Sequence, residues 1–154
     1  GTMPSDPPAA AHRLVLPERI DRQRSLLGEA GYPEEVCGVL LGGHSPGETR
    51  PVAVRQIENL NRARARDRFE MDPEGFLAAD GEARRRGLEI VGVWHSHPDH
   101  PARPSATDLA AAWEGWSYVI VAVTAAGAGE LRSWRLAGDR FVEESVTLEE
   151  GVQP

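Results

Sequence analysis

The sequence predicts an α/β domain, a mixed central β-sheet flanked by helices. Three observations carry that expectation. Strand-like apolar runs alternate with amphipathic helical stretches as far as Trp113, and strand patterns then follow one another towards the C-terminus. With 154 residues, 40% of them hydrophobic, the chain can bury roughly two thirds of its unfolded surface in one core and has no room for a second domain. Cys37 is the only cysteine, so that core holds without a disulfide or a four-cysteine zinc knuckle.

Residues 1–12 are rich in Ala and Pro and open with Gly-Thr ahead of Met3, which reads as a disordered or tag-derived lead; the domain is expected over 13–147 and a C-terminal tail over 148–154. From Pro17 to Gly31, Ile20, Leu26 and Leu27 recur among charged residues, with Pro suited to a first helical turn and Gly to a stop. This predicts the first helix. Val36–Leu41, closed by Gly42-Gly43, and the alternating Arg50–Ile57 predict strands. Glu58–Phe69 carries Arg62, Arg64, Arg66 and Arg68 at every second position and predicts a mobile loop or an exposed edge. Pro73–Gly87 follows Asp72 as a cap, sets Phe76, Leu77 and Ala83 on one side, and ends on Arg84 to Arg86, whose charge suits a helix C-terminus. This is the second helix. Leu88–Trp94 is a nearly continuous apolar strand, Asp108–Trp113 a short helix, and Tyr118–Thr124, Glu130–Leu136 and Arg140–Val146 are strands.

The formal net charge of −7 argues against a partner recognised through its phosphate backbone, so nucleic acid is not expected. No apolar run approaches the roughly 20 residues of a membrane helix, and the N-terminus lacks a signal-peptide pattern, so neither a membrane nor export is expected. A single cysteine fits a reducing compartment, which places the protein in the cytoplasm. Every one of the 17 basic residues is arginine.

The chemistry concentrates in Trp94-His95-Ser96-His97-Pro98-Asp99-His100-Pro101-Ala102-Arg103-Pro104-Ser105-Ala106-Thr107-Asp108. His95 and His97 are two apart at the end of a strand, so both imidazoles point to one face. Pro98, Pro101 and Pro104 each fix φ, so the following loop loses less entropy on ordering. Ser105 and Asp108 then open a helix. Alone, Ser-x-x-Asp is a capping box and His-x-His a pair of imidazoles; together they supply two nitrogen donors and a carboxylate. Three protein ligands leave a fourth position open, as in catalytic rather than structural zinc, although other divalent ions suit the same donors. A carboxylate outside the coordination sphere must also move the water's proton. Glu34 and Glu35, entering the apolar strand at Val36, are the upstream acids placed for that.

These segments resemble the JAMM/MPN+ (Mov34/PAD-1-like) metalloprotease family, closest to its short, single-domain bacterial members, over roughly Leu16 to Phe141. The shared signature is an upstream Glu, then His-Ser/Thr-His, seven residues, Ser, two residues and Asp; here the seven are Pro98 to Pro104. The family pattern selects Glu35, ahead of Cys37-Gly38, over Glu34. The resemblance implies an MPN/JAB domain of cytidine-deaminase-like architecture and a zinc-dependent peptidase or isopeptidase. It implies one Zn2+ per chain on His95, His97 and Asp108, Glu35 as general acid/base, and Ser105 as oxyanion donor. It also implies a partner, a ubiquitin-like or sulfur-carrier protein of the ThiS or MoaD type. Cleavage would follow the partner's C-terminal Gly-Gly, which can lie as an added strand beside a sheet edge.

The neighbours have plainer readings. Asp99 and His100 should turn away on the proline loop, Ser96 should point opposite the histidines towards backbone, and Cys37 should be a small buried hydrophobe near the metal. The four tryptophans should be core or groove wall. Competing readings are a non-catalytic scaffold of the same fold and a DNA-repair-associated protein sharing the motif. The oligomeric state is not legible in the sequence.

Overall fold

The computed structural model describes residues 11–110 and 112–151. Its elements are β1 (Arg13–Pro17), α1 (Glu18–Gly31), β2 (Cys37–Ser45), β3 (Glu48–Ile57), α2 (Pro73–Arg85), β4 (Glu89–Pro98), α3 (Ala106–Ala110), β5 (Ser117–Thr124), β6 (Gly127–Ala137) and β7 (Arg140–Glu149). The strands form one mixed sheet in the order β1-β3-β2-β4-β5-β6-β7 that closes through a parallel β1–β7 pairing. The remaining parallel pairs are β1–β3 and β4–β5; the hairpins are antiparallel.

The mixed sheet and both long helices match the expectation. Strand β1 does not appear in it. Leu14, Val15 and Leu16 are all buried, so they lack the alternation that marks a half-exposed strand. Proline at 17 ends β1 and serves as the N-cap of α1 instead of its first turn. Helix α3 spans Ala106–Ala110 instead of Asp108–Trp113, because the Ser105–Asp108 box starts it early. His12 is not part of a loose lead: it is buried, and its Nδ1 lies 2.7 Å from Glu144 Oε2, whose other oxygen accepts from Ser133 Oγ at 2.6 Å. This buried polar cluster, in which both Glu144 oxygens are hydrogen-bonded, helps fasten β1 to β7. Residues 1–10 lie outside the described residues, and β7 continues through Leu148 and Glu149.

Each long helix covers one face of the sheet. On one side Ile20 of α1 packs with Leu14, Leu16, Leu40, Val54, Val91, Trp94 and Val119. On the other Ala79 and Ala83 of α2 pack with Val39, Leu41, Ala53, Ile57 and Ile90. Fully burying a residue such as Ile20 contributes about 1.5–3 kcal/mol. Asp72 caps α2 by accepting from the Glu74 amide at 3.1 Å, and Arg84 and Arg85 occupy its last turn.

One irregularity sets the site. The β2–β4 register jumps between Leu40/Gly92 and Leu41/Ile90, leaving Val91 unpaired as a bulge in β4. Val91 and Trp94 therefore both face α1, and Val93, His95 and His97 turn to the opposite face.

Candidate metal centre

The β2–β4 ladder pairs Cys37 with His95. One step further, Ser96 N donates to Val36 O at 3.0 Å and Val36 N donates to Ser96 Oγ at 3.0 Å. Ser96 thus turns to backbone as expected, and this pair of hydrogen bonds sets Glu35 level with His97. His95 and Glu35 are buried, His97 nearly so.

His95 Nε2 and His97 Nε2 are 3.0 Å apart, and each is 3.4 Å from Asp108 Oδ2. Three donors set tetrahedrally about 2.0–2.1 Å from one ion are separated by about 3.3 Å. Glu35 Oε1 stands farther out, 4.0 Å from His95 Nε2. Glu35, His95 and His97 also place donor atoms within 4.8 Å of one another, so of the two carboxylates Asp108 is the nearer to the imidazole pair. His97 Nδ1 lies 2.8 Å from Pro101 O; a carbonyl only accepts, so Nδ1 carries the hydrogen and the neutral ring offers a bare Nε2. The two Nε2 atoms and the Asp108 carboxylate converge on one point, an arrangement of donors that suits a cation. His95 Nδ1 is buried without a hydrogen-bond partner, and the Phe69 ring covers this imidazole with centroids 4.7 Å apart.

The electrostatics agree. Burial opposes charge on Asp108, but the two imidazoles and the Ser105 amide outweigh it and hold the carboxyl far below its usual range. Burial lowers His95; at His97 burial is outweighed by Asp108 and the Pro101 carbonyl, and the group rises. Burial pushes Glu35 up to about 8, helped by the Asp108 charge and opposed by His97. A cation held by the neighbouring donors would oppose that rise by favouring the carboxylate.

Asp108 is aimed by a reciprocal capping box: Ser105 N donates to Asp108 Oδ2 at 2.8 Å, and Asp108 N donates to Ser105 Oγ at 3.1 Å. The capping and the chemical readings coexist. Because Ser105 Oγ accepts in this box, its own O–H remains a free donor, and the residue is exposed towards the site.

Two cavities flank the centre and share Asp67, Arg68, Ser105 and Thr107. One, about 340 Å3, is walled by Phe69, Met71, Phe76, Trp113, Trp116 and Tyr118. The other, about 380 Å3, contains Glu35 and His97 and is ringed by Arg64, Arg68, His100 and Arg103.

The other expectations resolve individually. Asp99 binds the Tyr32 hydroxyl at 2.8 Å, and exposed His100 lines the arginine cavity; neither joins the donor cluster. Cys37 donates to Ile57 O at 3.5 Å and burial pushes its thiol up to about 12, which keeps it an un-ionised packing residue. Trp94 is core; Trp113 and Trp116 are groove wall; Trp134 ties the proline loop through Nε1 to Ala102 O at 3.1 Å. The arginine segment is exposed but anchored: Glu35 N donates to Ala65 O at 2.5 Å. Asn59, which sequence reading passed over, secures it further. Its Nδ2 donates to Glu35 O at 3.2 Å and Arg68 O at 3.1 Å, and its Oδ1 accepts from the amides of Asn61 at 3.0 Å and Glu70 at 2.9 Å. Barrel closure gives every strand of the sheet two neighbours, so an added strand has no wholly free edge to join among the described residues.

Residues 17–137 match the family described as prokaryotic homologs of the JAB domain. The desampylase of Haloferax volcanii is 37% identical over 125 residues, covering 79% of this chain and 84% of the relative. The CysO-cysteine peptidase of Mycobacterium tuberculosis is 33% identical over 140 residues, covering 88% and 92%. The solution structure of a Desulfitobacterium hafniense protein superposes with a TM-score of 0.78 at 29% identity, covering 91% and 95%.

Proposed function

From the premise that the chain belongs to the prokaryotic homologues of the JAB domain, a metallopeptidase family, we propose that it is a zinc hydrolase that cuts after the C-terminal Gly-Gly of a ubiquitin-like or sulfur-carrier protein. His95, His97 and Asp108 hold one Zn2+, Glu35 moves the proton, and Ser105 donates to the developing oxyanion. The reaction belongs to the cytoplasm, where Cys37 stays reduced. The observation that carries this reading is the donor triangle of 3.0, 3.4 and 3.4 Å with Glu35 standing just outside it.

Zinc supplies electrophilic activation of water and of the scissile carbonyl. Glu35, 4.0 Å from His95 Nε2, is placed to take a proton from the attacking water and return it to the leaving nitrogen. The Ser105 hydroxyl, free to donate, meets negative charge on the carbonyl oxygen. An extended tail lies across the apolar cavity, where Phe69 and Met71 border the centre; glycines pass the close approach to Glu35 and Ser105 without steric cost.

The test is a sulfur carrier bearing a C-terminal extension beyond Gly-Gly, incubated with the protein and weighed by mass spectrometry with and without a chelator. Trimming to the Gly-Gly terminus that stops with chelator is expected. An uncut tail under metal-replete conditions overturns the reading.

A further inference from the structure

We propose that the cavity at the far end of the sheet, around Arg135 and His12, binds a small molecule that carries an oxyanion with a hydroxyl beside it: a hydroxy-carboxylate, or a phosphate that keeps one proton. Binding there does not depend on the hydrolase reading above.

The cavity holds about 600 Å3 and shares no lining residue with the two beside the metal centre. Its walls come from the residue ahead of β1, the β2–β3 turn, the segment before β5 and the end of β6. Strand β2 pairs its first residue, Cys37, with His95 at the metal centre and reaches this cavity with Ser45. At about 3.3 Å per residue that is roughly 25 Å away. The volume is that of a small-molecule site and admits no folded partner.

Arg135 has donors to spare. Its side chain is only 15% exposed, and its Nη1 donates to Ser117 Oγ at 3.4 Å and stands 4.0 Å from Glu144 Oε2. Among the described residues Nε and Nη2 have no hydrogen-bond partner, and neither is sealed into the core. Glu144 is engaged elsewhere, its two oxygens bonded by Ser133 Oγ and His12 Nδ1. A guanidinium offers paired donors that match a carboxylate or a phosphate. For stability alone an apolar side chain would fill this place without the desolvation cost.

His12 supplies the second contact. A carboxylate only accepts, so Nδ1, 2.7 Å from Glu144 Oε2, carries the hydrogen, and in the neutral ring Nε2 is a bare acceptor. Nε2 has no partner among the described residues, and His12 lines the cavity. Glu144 Oε2 touches both His12 and Arg135, so acceptor and donors lie side by side. Such a pair calls for a ligand that brings a hydrogen as well as negative oxygens. A hydroxy-carboxylate and a monohydrogen phosphate do so; sulfate and a plain dicarboxylate do not. Glu144 offsets the charge of Arg135, and Glu114 stands on the rim, so the hold comes from directed hydrogen bonds and the affinity is millimolar.

The experiment titrates phosphate, malate, sulfate and succinate into the isotope-labelled, zinc-loaded protein at about pH 8, where imidazoles are neutral, and follows backbone amide shifts. Phosphate or malate should move the amides of Gly47, Glu114, Gly115 and Ala137 saturably, with a Kd of about 1 mM, and sulfate and succinate should bind about tenfold more weakly. Which of the first two binds tells a phosphate source from a hydroxy-acid one. Arg135→Gln should abolish the shifts. Arg135→Lys, which keeps a charge beside Glu144 and so protects the fold, should weaken binding about tenfold. Shifts confined to the surroundings of Glu35 and Ser105, shifts that survive Arg135→Gln, or no shift at about 10 mM overturn the site. Sulfate or succinate binding as tightly as phosphate or malate overturns the hydroxyl requirement and with it the role of His12.

Discussion

Gly38, the glycine that follows Cys37 in the signature, should not tolerate even one methyl group. Strand propensity alone points the other way, since Ala for Gly inside a strand gains roughly 0.5–1 kcal/mol. A Cβ at position 38, however, falls 2.0 Å from the Arg55 carbonyl oxygen and 2.6 Å from Trp94 Nε1. Neither can yield cheaply: Arg55 O is backbone of the neighbouring strand, and Trp94 is fully buried across the ladder from Gly38. Relief needs a shift of more than an ångström between β2 and β3. Overpacking costs about 1–3 kcal/mol, and one or two ladder hydrogen bonds lost add about 1 kcal/mol each. A total near 3 kcal/mol lowers Tm by about 10 °C in a domain of this size. The assay is thermal unfolding of chelator-treated protein, so that zinc linkage does not mask the effect. Gly43→Ala is the control, because a Cβ there meets nothing within 4 Å, and its stability should stay within about 0.5 kcal/mol of the parent. A Gly38→Ala protein that melts with the parent, or a Gly43→Ala protein that falls equally, refutes the steric reasoning.

Asp108→Asn should weaken zinc binding by at least about a hundredfold in competition with a chelator, since it removes the one charged donor nearest the imidazoles. Asn59→Ala frees the Glu35 and Arg68 carbonyls; kcat/KM should drop about tenfold with zinc content unchanged, because misplacing the proton carrier costs rate. In chelator-treated protein, Glu35 sits near 8 instead of its ordinary 4.5, so the folded state binds the extra proton. Its contribution to stability is greatest below about pH 4.5 and declines as pH rises to about 8; because His95 is lowered and works in the opposite sense over that window, the readout is the difference between parent and Glu35→Gln in denaturant unfolding, which should shift against the parent as pH rises. Trp113 is 69% exposed at the rim of the apolar cavity; Trp113→Ala should leave Tm within a degree or two and raise KM for the carrier tail.

The signature histidines were legible because a strand has period two, and a pair at i and i+2 must share a face wherever the strand goes. Asp108 was legible from spacing, since the proline loop limits where its helix can begin. What stayed hidden acts through backbone or across long separations. Strand β1 is buried on both faces and reads as three apolar residues; its fastening through His12 and Glu144 joins positions 132 apart. The Val91 bulge, which puts Trp94 in the core and His95 at the site, has no composition of its own. The arginine run has the pattern of solvated charge, and most of it is exposed. Its tie to Glu35 runs through the Ala65 carbonyl and the Asn59 amide, and no side-chain pattern announces a carbonyl.

The central claim is a division of labour between two carboxylates 73 positions apart in the chain, Asp108 on the metal and Glu35 on the proton. Zinc content and turnover measured together on Glu35→Gln test it most directly. The account predicts one zinc per chain, as in the parent, with cleavage reduced by about 10²- to 10⁴-fold. A Glu35→Gln protein that loses its zinc would make Glu35 a ligand, and one that keeps its turnover would leave the proton carrier elsewhere; either result contradicts the account.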